Sequence, residues 1–177
     1  RSERISRPVE GLQAEGTSGI YIAAPSGPLS SGGGVGISAD GRYVVFGSTL
    51  PNLTRTALPT CSGHVLTAME AYEGGCPQFY LYDRQTQQME IVSLSNEGRP
   101  ADGNAFGNGD VSSDGRFVVF TSTAHNLWPA PPAACSPHVD RPCAQVFVRD
   151  RQEGVTYLIG EGPGSIAPNQ AGSAIAS

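Results

Sequence analysis

One ten-residue stretch occurs twice in the chain, and no other feature constrains the fold as tightly. Ile37-Ser38-Ala39-Asp40-Gly41-Arg42-Tyr43-Val44-Val45-Phe46 returns 74 positions later as Val111-Ser112-Ser113-Asp114-Gly115-Arg116-Phe117-Val118-Val119-Phe120. Every difference is a swap of the Ile/Val, Tyr/Phe or Ala/Ser kind. The correspondence runs on: Gly47-Ser48-Thr49 and Asn52-Leu53 answer Thr121-Ser122-Thr123 and Asn126-Leu127, and Gln78 to Gln85 answers Gln145 to Gln152. Partial copies stand at both ends. Ser2-Glu3-Arg4-Ile5-Ser6 matches Met89-Glu90-Ile91-Val92-Ser93. Ala174-Ile175-Ala176-Ser177 matches Asp110-Val111-Ser112-Ser113, so Asp-Gly-Arg is expected next.

Each copy reads as four strands. The segment before Asp-Gly (34–38 and 107–112) is short and Gly-rich, which suits an inner position where backbones approach closely. Asp-Gly itself predicts a two-residue type I′ hairpin. Arg42 to Ser48 and Arg116 to Ser122 are β-branched and aromatic runs, hence strands. Phe79 to Arg84 and Val146 to Arg151 supply a third strand; Gln88 to Leu94 and Val155 to Ile159 supply a fourth. No stretch sustains a helical apolar period.

Composition agrees with many short elements and many turns: Gly 23 and Pro 14 among 177 residues rule out a helical bundle yet stay below the level of a disordered chain. A net charge of −5 provides no surplus of cations for phosphates, so nucleic acid is excluded as the expected partner. All 11 basic residues are Arg, from which no function follows. No apolar run reaches the roughly 20 residues of a membrane-crossing helix, and 1–10 lack the apolar stretch of a secretion signal, so no transmembrane segment is expected.

A four-stranded sheet too poor in apolar residues to form its own core must bury its faces against copies of itself. Radial stacking of such sheets is a β-propeller, the fold class expected here. The strand order leaves a last strand of a preceding blade in 1–8, an inter-blade loop with an insertion in 9–33, and a blade in 34–95. A short inter-blade loop follows in 96–106, a second blade in 107–160, and a loop with the first strand of a following blade in 161–177. Missing blades would come from the rest of a longer chain or from another chain; open sheet edges would otherwise invite aggregation.

Ile-Ser-Ala-Asp-Gly-Arg-Tyr-Val-Val-Phe-x-Ser, then Asn-Leu, then Phe-Tyr-Leu-Tyr-Asp-Arg with Val-Ser beyond, resembles the bacterial TolB-like, WD-like propeller repeat. That resemblance covers nearly the whole chain. It implies a propeller of about six to eight blades in a periplasmic, outer-membrane or secreted protein that serves as a binding or assembly platform. The sequence departs from the pattern between the second and third strands, where loops 54–77 and 128–144 are long, Pro-rich and carry all four Cys. Loops free to vary on a repeated scaffold are where binding specificity is placed.

Cys61 and Cys76 bracket the first loop and Cys135 and Cys143 the second, which reads as two local disulfides in an oxidising compartment. The rival is zinc, because His64 and His138 each stand three residues after the first Cys. A consistent fourth ligand is missing, with Asp140 in one loop and Glu70 or Glu73 in the other. No cofactor or metal is therefore assigned, and no Cys-x-x-Cys-His haem motif occurs.

No catalytic residue is assigned either. Ser112 and Ser113 lack a nucleophile setting, His125 stands where the first copy has Pro51, and Asp40/Asp114 and Asp83/Asp150 have structural work in turns and at strand ends. Asp102-Gly103-Asn104, with Asp110, resembles a calcium loop only loosely. Asn52-Leu53-Thr54 fits a glycosylation sequon, but Asn-Leu recurs before Trp128, so a turn role accounts for it. Trp128, Pro129, Pro131 and Pro132 form a stiff apolar loop that either packs over the blade edge or, with His64 and His138, meets a protein partner. The expected function is a non-catalytic propeller scaffold for protein–protein interaction or assembly, periplasmic or extracellular. The alternatives are the propeller part of a secreted peptidase or carbohydrate-active enzyme whose active residues lie elsewhere, and a structural subunit of a homo-oligomer.

Overall fold

The structure is a computed structural model, and it describes residues 5, 7, 9, 35–48, 50–61, 76–128, 134–136, 139–142 and 144–159. Among these the chain is all-β, with two four-stranded antiparallel sheets and no helix. The first sheet is a meander of β1 (Gly36–Ile37), β2 (Tyr43–Ser48), β3 (Gln78–Asp83) and β4 (Gln88–Ile91). The second repeats it with β5 (Ala105–Val111), β6 (Phe117–Ser122), β9 (Gln145–Asp150) and β10 (Val155–Ile159). Registers coincide pair by pair: Tyr43 lies opposite Asp83 and Ser48 opposite Gln78, as Phe117 lies opposite Asp150 and Ser122 opposite Gln145.

The repeated turn differs from the type I′ expectation. Gly41 and Gly115 have positive φ (71° and 74°), but Asp40 and Asp114 do not. The connection is longer than two residues because the aspartate caps it. Asp40 Oδ1 accepts from Ser38 Oγ (2.6 Å) and from the Arg42 amide (3.0 Å), while Ser38 Oγ accepts from the Tyr43 amide (2.9 Å). Ser112, Asp114, Arg116 and Phe117 repeat these bonds at the same lengths. Such side-chain bonds to nearby amides hold Asp in an ordinary backbone conformation and leave only Gly in the left-handed one.

Pleating gives each sheet two faces. Tyr43, Val45, Phe79, Leu81 and Val92 of the first sheet face Val111, Val118, Phe120, Phe147 and Leu158 of the second, with Ala101, Ala105, Ala124, Leu127 and Trp128 completing the cluster. This core lies between the sheets; neither owns it. Phe120 sits between the rings of Phe79 (5.9 Å) and Phe147 (5.8 Å), a spacing favourable for aromatic pairs. The other face of the first sheet carries Phe46, Tyr80, Tyr82 and Ile91 under Leu50 and Leu53, with Ile5 packed against them.

Ile5 stands at the sequence position of Val92, and both make the same backbone bond: Arg7 N to Ile5 O at 2.8 Å, Leu94 N to Val92 O at 2.9 Å. Ile5 therefore meets the first sheet as Val92 meets the second. Close backbone approach occurs where the Gly-rich inner strands predicted it. A Cβ on Gly36 would lie 2.7 Å from Asp110 Cα, and one on Gly109 would lie 2.5 Å from Phe79 Cε1.

Candidate functional site

Antiparallel order puts equivalent loops of both copies at the same end of the stacked sheets. The two capped Asp-Gly turns and the turns after β3 and β9 occupy one rim. The strand ends from which the long connections of each copy leave, Ser48 with Gln78 and Ser122 with Gln145, lie at the other.

At the turn rim the repeated ions are structural. Arg42 makes a two-pronged bond to Asp83 (Nε to Oδ1 3.1 Å, Nη2 to Oδ2 2.7 Å), and Arg116 does the same to Asp150 (3.0 and 2.7 Å). Each aspartate also accepts amides of the following turn: Gln85 and Thr86 for Asp83, Gln152 and Glu153 for Asp150. The Arg116 guanidinium, with those amides, pulls the Asp150 carboxyl down to about 2, and Arg42 holds Asp83 well below the usual carboxylate range. Asp40 and Asp114 are lowered by the Ser38 and Ser112 hydroxyls first and the Arg42 and Arg116 amides next. Carboxylates fixed in the ionised form by their own turns are poor proton donors or acceptors for chemistry.

The two sheets are joined here by a contact absent from the motif reading. Arg151 Nε donates to Glu90 Oε1 (2.7 Å), Arg151 also donates to the Gly115 carbonyl, and its guanidinium lies 5.1 Å from the Tyr43 ring centroid. Arg42 approaches the same ring at 4.7 Å. Deeper in the seam, Arg149 is buried and donates to Thr156 Oγ1 (3.1 Å) and the Ser95 carbonyl (3.4 Å); burial lowers its pKa. Arg149 occupies the place of Tyr82 in the first copy, and that departure from the repeat was its only signal in the sequence.

The loop rim holds Cys61 and Cys76. Cys61 and Cys76 are bonded, with Cα atoms 4.8 Å apart, and the Cys76 amide donates to the Pro59 carbonyl at 2.8 Å. Cys61 Sγ lies 3.8 Å from the Asp102 carbonyl oxygen, so the base of the first loop touches the segment that leads into β5. Asp102 Oδ1 accepts from the His125 and Asn126 amides (2.7 and 3.2 Å), Asn126 Oδ1 accepts from the Asp102 amide (3.1 Å), and Asn126 Nδ2 donates to Pro100 O (2.8 Å). Asp102 thus closes a turn. Asp110 instead accepts from its neighbouring Val111 amide (2.8 Å). Among the described residues no three His, Cys, Asp or Glu side chains gather as a metal site.

Trp128 is half-buried and packs against the inter-sheet core, so it has a packing role beside the two sheets. The second loop contains a hairpin of β7 (Ala134–Ser136) and β8 (Val139–Pro142). His64, His138, Pro129, Pro131 and Pro132 lie outside the described residues, as do Cys143 and with it the pairing expected with Cys135. His125, exposed at the turn tip, offers its backbone amide to Asp102. An open depression of 420 Å³ on the outer face of the first sheet is lined by Ile5, Leu53, Tyr82 and Met89 beside Arg7 and Arg55. Nearby, the side-chain oxygens of Asn52 and Thr54 are buried without a hydrogen-bond partner among the described residues.

No helix among the described residues is long and apolar enough to cross a membrane. No family model, no curated protein and no solved structure matches the chain.

Proposed function

We propose that the chain is part of a β-propeller, resembling the TolB-like group, that acts without catalysis as a scaffold for protein–protein interaction or assembly at the cell envelope or outside the cell. One observation carries this reading: two sheets of the same strand order and internal register pack face to face and carry the ends of both long loops at the same rim, with one loop closed by the Cys61–Cys76 bond. A rigid sheet stack bearing a stapled loop suits recognition, because ordering the loop beforehand lowers the entropy cost of binding. The disulfide supports an oxidising compartment. The acidic side chains fixed at the turn rim serve the fold, which supports a scaffold over an enzyme.

The test uses the oxidised chain as bait against an envelope fraction, beside a variant in which residues 62–75 are replaced by a short Gly-Ser linker between Cys61 and Cys76. A discrete partner cross-linked by the first and lost by the second supports the proposal. Equal capture by both, with both folded, removes the loop from the function.

A further inference from the structure

We propose that Asn108 and Gly109 form a self-modification site, at which the asparagine side chain closes on the glycine nitrogen and is converted to aspartate and isoaspartate. Asp or Asn precedes Gly at four places in the chain, 40–41, 102–103, 108–109 and 114–115, and each offers a backbone nitrogen with no Cβ beside it. What separates them is how the side chain is held. Asp40 Oδ1 accepts from the Ser38 hydroxyl and the Arg42 amide, Asp114 Oδ1 from the Ser112 hydroxyl and the Arg116 amide, and Asp102 Oδ1 from the His125 and Asn126 amides. Those three carboxylates are tied down. Asn108 is exposed, carries a neutral amide whose carbon is the better electrophile, and makes no side-chain hydrogen bond among the described residues. The backbone is also released there. β5 pairs with β6 at Ala105, Phe106, Asp110 and Val111, so 107–109 stand opposite Phe120 alone, in a bulge. A regular strand keeps an Asn side-chain carbon away from the next nitrogen; a bulge lifts that constraint.

The step is a ring closure followed by hydrolysis. The Gly109 nitrogen gives its proton to solvent base and attacks Asn108 Cγ; the N–Cγ bond forms, the Cγ–Nδ2 bond breaks, and ammonia leaves with a proton from water. Water then opens the succinimide. Cleavage of the new N–Cγ bond leaves aspartate at 108, whereas cleavage of the main-chain bond between the Asn108 carbonyl carbon and the Gly109 nitrogen leaves isoaspartate, with an extra backbone atom. Nothing is oxidised or reduced, and water is the co-reactant. The product falls at a tight inter-sheet contact: a Cβ on Gly109 would lie 2.5 Å from Phe79 Cε1, and one on Gly36 would lie 2.8 Å from the Gly109 carbonyl oxygen. A longer backbone has no space there, so isoaspartate at 108 should loosen the seam between the sheets.

This inference stands apart from the scaffold reading, and its test involves no partner. The full folded chain is held in mildly alkaline buffer at physiological temperature, and conversion at each Asn and Asp is read by peptide mapping with isoaspartate-specific methylation. Asn108 should convert about tenfold faster than Asn52, Asn96, Asn104 or Asn126, each of which is followed by a residue with a Cβ. Asn108→Gln, which would need a larger ring, should abolish conversion at this position and leave the melting temperature unchanged. The isoaspartate form should melt below both the fresh chain and Asn108→Asp, which adds the charge without the extra backbone atom. Conversion at Asn108 no faster than at the other asparagines overturns the proposal. So does a rate about a hundredfold below that of the urea-unfolded chain, the protection a fully paired strand would impose. Isomerisation of Asp102 as fast as conversion of Asn108 also overturns it, because the hydrogen bonds on the side chain would then make no difference. Equal melting of the fresh and isoaspartate chains would remove the effect on the seam.

Discussion

Arg151 of the second sheet lies over the ring of Tyr43 in the first, 5.1 Å from its centroid, while Gly115 sits so close beneath that ring that a Cβ there would come within 2.2 Å of it. One side chain thus joins a cation–π contact, a hydrogen bond to Glu90 and another to the Gly115 carbonyl across the seam. Arg151→Ala should cost about 1–2 kcal/mol, the sum expected of a part-exposed cation–π pair and charge-assisted bonds. A double-mutant cycle with Tyr43→Leu in urea should give a coupling of about 0.5–1 kcal/mol. Zero coupling would show that the ring and the guanidinium act independently.

Gly109→Ala should destabilise by about 1–3 kcal/mol, because the methyl group meets the buried Phe79 ring and Val45 with no open side to move into. Phe79→Leu in the same background should recover part of that loss. A neutral Gly109→Ala in thermal melting would contradict the inter-sheet packing.

Replacing both Cys61 and Cys76 by Ala removes a cross-link spanning 15 residues. The chain-entropy account gives a loss of about 3 kcal/mol. Urea midpoints of the variant and of the oxidised protein measure it, and the variant's midpoint should no longer respond to mild reduction at this pair.

Acid should unfold the protein through the strand-end carboxylates. The folded pKa of Asp150 is depressed to about 2 by Arg116, so its stabilising effect is complete above the unfolded value near 4 and is lost as pH falls from there through about 2. Asp83, held down by Arg42, acts in the same direction. Asp150→Asn should flatten the fall in urea midpoint between about pH 4 and pH 2. An unchanged acid slope would refute the linkage.

Gln87 has φ 59°, a left-handed conformation, where the equivalent turn of the second copy has Gly154 at 68°. Gln87→Gly should stabilise by about 0.5–1 kcal/mol, since a side chain there carries a steric cost that glycine lacks. The change is exposed, so a thermal shift measures it without disturbing the core.

Strand order, sheet pairing and the crowded inner strands were legible in the sequence. Period-two apolar runs and repeated turn residues are local properties, and a repeat of 74 positions carries them from one copy to the next. The pairing of Cys61 with Cys76 was also legible, because the two residues bracket one insertion. The turn geometry was not. Ser38 and Asp40 bond to each other and cap the Tyr43 and Arg42 amides respectively, an arrangement of three-dimensional hydrogen bonds that the Asp-Gly pair does not encode.

Sequence by itself determined the unit: four strands, their order, and the need of each sheet for a neighbour. Only the tertiary structure decided which face meets which, that Arg151 and Arg149 join the seam, that Trp128 packs inward, and that Asp102 closes a turn. The physical reason is range. Propensity and alternation act over a few residues, whereas partners such as Arg151 and Glu90, 61 positions apart, are chosen only when two sheets come together and their polar groups must be satisfied.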